Sequence, residues 1–205
     1  MSDEQPSSLA AINPQDLMPL YNLGGAGVHH QRLTPLVGEW EVHMEIYPAP
    51  GADPIRSTGL IAQKRWIMDG REVLEEITAG SIGGMEHRKL TILGYDNVNQ
   101  RYEFTTVDNL DTQTMRYQGT ADASGKTITL IGAYTQAALA DFLTGDGVGR
   151  ASGGTPRPNR ALIGIAFSVR DVLTIQDEDH HTLQMYFTPA TGSEILTAQY
   201  SYTRQ

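Results

Sequence analysis

No cysteine occurs in the 205 residues, which excludes disulfides, thiolate metal sites and cysteine nucleophiles. Positive charge is also scarce. Fifteen Lys and Arg stand against 24 Asp and Glu, leaving a formal charge of −9 and a pI near 5.0. A net acidic surface repels phosphate backbones and anionic headgroups, so neither nucleic acid nor a membrane surface is an expected partner. No apolar run approaches the roughly 20 residues that a spanning helix needs. Met1 to Ala11 is acidic and polar and lacks the basic and apolar regions of a signal peptide. Together these absences predict a soluble, cytoplasmic protein. What is present is a hydrophobic fraction of 40 %, enough for a real core, in a length that a β-barrel commonly fills as one unit.

Residues 1–12 read as a tail. Asn13-Pro14 then starts a short helix, with Asn capping the free N–H groups and Pro at the first helical position. Leu17, Leu20 and Tyr21 give it an apolar face, and the glycines of 24–27 end it. A second short turn follows, with Leu33 and Leu36 three apart and Pro35 limiting its length. From Gly38 the period changes to two. Trp40, Val42, Met44 and Ile46 alternate with Glu41, His43, Glu45 and Tyr47, the pattern of a strand with one apolar face. Further strands are predicted at about 57–68, 71–79, 87–95, 101–108, 114–121, 127–134, 161–175, 181–188 and 195–204. Asp69-Gly70 reads as a two-residue hairpin turn. Asp96 to Asn99, Asp122 to Gly125 and Asp177 to Asp179 read as further turns. Only the stretch at about 136–160 breaks the rhythm: it is a Gly/Pro-rich insertion, too long for an ordinary hairpin loop.

Ten strands joined by short turns must be antiparallel neighbours. The simplest arrangement is an all-β, up-and-down barrel, which removes exposed sheet edges; a two-sheet sandwich is the alternative. The predicted organisation is therefore a tail and short helix over 1–27, then a single barrel domain over 28–205 with the insertion at about 136–160.

Gly38-Glu39-Trp40 on the first strand and Arg204 at the end of the last resemble the lipocalin-like (calycin) superfamily. There such a tryptophan plugs the closed end of the barrel and packs against a late-strand arginine. His30, Leu33, Leu36, Gly38 and Trp40, with Trp66, Gly94 to Asn97, Asp108-Asn109 and Tyr202 to Arg204, are similar to an uncharacterised bacterial family within it. The resemblance implies a barrel with a ligand cavity and implies no reaction.

Trp40 and Arg204 read as structural, a cation–π pair closing a barrel end, and His30 as a hydrogen-bonded cap over it. His29-His30 and His180-His181 are adjacent pairs, and adjacent strand residues point to opposite faces; no zinc or iron ligand spacing appears, so no metal is expected. Glycines 145–154 lack a P-loop lysine, and no nucleophile elbow is present. Glu75 and Glu76 are mid-strand, so one of them faces the interior, as a partner of Arg65 or Arg71 or as a general base. Asp108-Asn109 reads as a turn cap or as a polar contact at the barrel mouth.

Three functions compete. The first is binding of a small, mostly apolar molecule, hydrophobic or aromatic, in a cavity lined by Met44, Trp66, Tyr95, Phe104, Tyr117 and Tyr134. The second is a cofactor-independent lyase, isomerase or cyclase in the same cavity. Glu75 or Asp108 would be its base, and a tyrosine, with Tyr186 the candidate, its acid or oxyanion donor. The third is a side-chain-filled assembly module, and a homodimer stays open. No cofactor is expected. Haem enters only by likeness to a sister group of barrels that ligate it through histidine, for which His181 is the best candidate. A cavity well below about 300 Å³ counts against the ligand readings.

Overall fold

The computed structural model describes residues 15, 23–135, 166–189 and 192–205. Most of the predicted helix after Asn13 and the whole of the 136–160 insertion lie outside them. A short helix, α1 (Val28–Gln31), and a 3-10 turn (Thr34–Leu36) lead into the sheet. The strands are β1 (Gly38–Ile46), β2 (Ile55–Ile67), β3 (Glu72–Ile82), β4 (Met85–Glu86), β5 (Lys89–Asp96), β6 (Arg101–Asp108), β7 (Met115–Ala121), β8 (Thr127–Thr135), β9 (Ala166–Ile175), β10 (His180–Thr188) and β11 (Ile195–Arg204).

Each long strand pairs antiparallel with the next long strand in the chain, and β11 returns to pair with β1. The β2–β3 pairing completes the circle, so ten strands form a closed barrel and the sandwich is excluded. The two-residue β4 only extends the hairpin at the end of β3. Closure follows from the turns: Asp122 Oδ1 accepts from Lys126 and Thr127 N–H, and Gly125 supplies the positive φ that tightens the connection.

Two turns differ from expectation. The connection after β2 has four residues, 68–71, rather than the two of Asp69-Gly70. Met68, Asp69 and Gly70 all take positive φ (47°, 56° and 83°), and Arg71 N–H closes the loop on the Met68 carbonyl. The stretch from Gly80 to Glu86 is not one long connection: β3 runs on to Ile82, and Gly83-Gly84 turns it into β4.

Strand alternation decides what fills the barrel. Trp40, Val42 and Met44, then Phe104, Tyr117, Leu130, Leu173, Leu183 and Tyr200, are buried on the inward parity. One end is plugged. Trp40 is fully buried, its indole N–H donates to the Leu36 carbonyl at 2.8 Å, and the Arg204 guanidinium lies 4.3 Å from its ring. Arg204 also donates to the carbonyls of Pro35 and Val37. Gly38 allows this approach, because a Cβ there would collide with the guanidinium. His30 is buried and its Nδ1 accepts from Gly27 N–H at 3.0 Å, the cap predicted for it. β8 ends and β9 begins at the opposite end of the barrel.

Candidate functional site

Three inward positions that the pattern reserves for apolar residues carry charge. Lys64 follows Leu60 and Ala62 on β2, Glu75 follows Val73 on β3, and Asp171 sits between Val169 and Leu173 on β9; all three are buried. Lys89, at the start of β5 and in phase with Thr91 and Leu93, is a fourth. Burying a charge is costly unless it is paired, so the pairing of each decides what it can do.

Glu75 is well paired. Its Oε2 lies 2.6 Å from Lys64 Nζ, its Oε1 lies 3.6 Å from Lys89 Nζ, and the Tyr202 hydroxyl donates to Oε1 at 3.3 Å. Burial pulls its pKa up, but the two ammonium charges and the donors from Lys64 and Tyr202 outweigh burial and hold it below the ordinary carboxylate value. Its partners are these lysines. The expected ones, Arg65 and Arg71, lie elsewhere, because Arg65 has the opposite parity and meets Glu76 at 3.4 Å, while Arg71 serves the 68–71 loop and the Gly24 carbonyl.

Lys64 also contacts His181 Nε2 at 2.8 Å and lies 3.8 Å from the centre of the Tyr202 ring. His181 stacks on Tyr202 at 4.1 Å and meets the edge of Trp40 at 4.2 Å. Burial, then the charges of Lys64 and Arg204, drive its pKa far down, so it is neutral. Packed this way, its ring offers no open coordination face to a haem.

Asp171 is different. It is 0 % exposed and neither carboxylate oxygen has a hydrogen-bond partner. Burial pushes its pKa up to about 7, against a downward pull from Lys89. His87 is also 0 % exposed with both ring nitrogens unpartnered, and burial, then Lys89, lowers its pKa. The Tyr117 hydroxyl reaches only the Met115 sulfur, at 3.2 Å, a weak acceptor. Gly132 makes room for that tyrosine, since a Cβ there would strike its ring. Polar groups buried in a native protein are nearly all satisfied; Asp171 and His87, with no partner on any side-chain polar atom, form the candidate site with the weakly bonded Tyr117 hydroxyl, whereas His181 and Glu72 each leave a single atom unpartnered, Nδ1 and Oε2.

Of the residues singled out from sequence, Met44, Phe104, Tyr117 and Tyr134 are buried in the barrel interior. Tyr134 donates to Asp111 at the rim. Trp66 and Tyr95 share the inward parity but lie at the plugged end, where Tyr95 stacks on His29 at 4.1 Å and packs against Tyr102. Asp108 stands opposite Lys89 in the β5–β6 register and caps the turn by accepting from Leu110 N–H. Asn109 closes the same turn onto Arg88 and Glu86. Tyr186 is on the outer face: Arg170 covers its ring and its hydroxyl donates to Gln184. It does not meet Glu75 or Asp108. Lys64, Lys89, His87 and Asp171 were not singled out. For three of them the signal was available, as a charged residue in an apolar phase; His87 lies in a loop, where no phase exists.

The enclosed void beside the cluster, lined by Lys64, Glu75, Thr91, Phe104, Leu183 and Tyr202 among others, has a volume of about 30 Å³, room for about one water. It is far below the size of a ligand pocket, so a ligand cannot share the level of the Lys64–Glu75 pair in this packing.

Fold and interior thus define a closed antiparallel barrel with a plugged end and an apolar interior that carries a few buried charges. Residues 26–141 match the family model described as a protein of unknown function (DUF1579), and the chain belongs to that family. The crystal structure of Rv2717c from M. tuberculosis has a similar fold, with a TM-score of 0.52 and 16 % identity over 88 % of this chain and 99 % of that one. No curated protein matches.

Proposed function

We propose that the barrel binds a small, mostly apolar molecule in the half opposite the Trp40 plug, with the polar end of the ligand directed at Asp171. The lipocalin-like resemblance of the opening stretch supports this reading. The observation that carries it is the wholly buried Asp171 carboxylate with no partner on either oxygen. Leaving such a group unsatisfied costs about 1–3 kcal/mol, and a bound molecule that supplies the missing hydrogen bonds recovers that loss. Met44, Phe104, Tyr117 and Phe187 supply the apolar contact. A thermal-melt panel of small neutral aromatics tests the reading. A ligand at 100 times its Kd stabilises the fold by about 2.7 kcal/mol, which raises Tm by several degrees. A panel in which no compound moves the melt overturns it.

A cofactor-independent proton-transfer enzyme is the second reading, and Asp171 favours it. A general base works best with a pKa near the ambient pH. Asp171 at about 7 meets that condition, whereas Glu75 is held ionised by two lysines.

A further inference from the structure

Lys89 is the counterpart of Asp171. Its ammonium is 3.6 Å from Glu75 Oε1, outside hydrogen-bonding distance, and 4.3 Å from the centre of the Tyr200 ring. Among the described residues no hydrogen bond reaches its nitrogen, although its side chain is only 4 % exposed. Asp171 has two unpaired acceptors. The charges feel one another, yet no ion pair joins them. The fold explains the gap: β5 and β9 stand four strands apart around a ring of ten, so these two inward side chains belong to facing walls. Tyr117, with its hydroxyl resting on a thioether, is on β7, midway between them.

Charge balance restricts what can fill the gap. With all four groups ionised, Lys64 and Lys89 balance Glu75 and Asp171 in one buried interior; burial pulls Lys64 and Asp171 toward their neutral forms, a shift that removes one charge of each sign and keeps the balance. A ligand with a net charge would leave one charge uncompensated, at a heavy desolvation cost. A pure hydrocarbon would leave donor and acceptor unsatisfied. Resting on the ligand-binding reading above, we infer that the ligand has an apolar body and a net-neutral head of the carboxamide or hydroxy-carbonyl class, its acceptor oxygen facing Lys89 and its N–H or O–H donor facing Asp171.

The test uses one body with four heads: 2-phenylacetamide, phenylacetate, phenethylammonium and ethylbenzene, each titrated calorimetrically into the full chain. The amide is expected to bind about tenfold or more tighter than the other three, the effect of satisfying one buried polar pair. Lys89→Met and Asp171→Leu are each expected to erase that preference while keeping the affinity for ethylbenzene. Circular dichroism melts show that each variant is folded, and either variant alone decides. Equal affinity for amide and ethylbenzene, the result if water alone satisfies these groups, overturns the inference. So does preference for an ion, or an amide preference that survives either substitution in a folded variant. In those three cases the barrel still binds a ligand and only the head-group assignment falls. If none of the four compounds binds, the ligand-binding reading falls with it.

Discussion

The two halves of the barrel differ in how fully they pair their buried polar groups. At the plug most have work within the chain: Trp40 donates to Leu36, Arg204 to Pro35, Val37 and Glu178, and His30 accepts from Gly27, while single atoms, His181 Nδ1 and Glu72 Oε2, go without a partner. Beyond the Glu75 cluster, Asp171, His87 and Tyr117 are left with no partner or a poor one. The plug is locally consistent, as stability requires. The other half breaks a rule of folding without a compensating gain inside the chain, which is where function is expected. Lys64 and Glu75 mark the boundary, a paired charge level between the plugged end and the half that holds Asp171.

Three substitutions would break or sharpen that contrast. The largest effect is expected at the plug. Trp40→Ala removes a fully buried indole and should cost about 3–5 kcal/mol, read as a fall in the denaturant midpoint. A loss under about 1 kcal/mol would show that the plug does not anchor the fold. Next is Asp171→Leu, which should stabilise the unliganded protein by about 1–3 kcal/mol by removing an unsatisfied group. The gain should depend on pH. An acid whose pKa rises from 3.8 to about 7 on folding favours the fold fully below its unfolded value, and that contribution is lost as pH climbs to 7. Melts of wild type and variant should therefore diverge between about pH 4 and 7 and run parallel above. A variant less stable than wild type at neutral pH would mean that Asp171 is satisfied within the chain. The smallest effect is expected for Arg204→Lys, which keeps the charge but loses the planar fork and the stacking on Trp40. About 1 kcal/mol should be lost; no change would reduce Arg204 to a simple charge.

The barrel was legible because period-two alternation and turn residues act over a few positions, and ten such signals in a row leave few topologies. The interior chemistry was only partly legible. Parity required one of Glu75 and Glu76 to face inward, but could not give its partners, since Lys64 and Lys89 come from neighbouring strands whose register no local pattern states. Lysine in an apolar phase is easily taken for a side chain that snorkels to the surface. Asp171 carries the same signal on β9 and was equally available. Tyr186 shows the converse: its neighbours Met185 and Phe187 share the parity of His181 and Leu183, so alternation alone places it outside. Trp66 and Tyr95 have the right phase, yet they lie beside the turns at the plugged end.

One consequence of the closure concerns synthesis. Trp40 pairs with Arg204, and β11 is hydrogen-bonded to both β1 and β10. Until β11 has left the ribosome, β1 and β10 are open sheet edges, and the Trp40 indole waits for its guanidinium cover. Such edges recruit other strands, and pairings between distant parts of a chain form slowly. The nascent chain must therefore carry an unfinished seam until β11 is made, and the β10–β11 hairpin works as the latch that makes the barrel safe from its own copies.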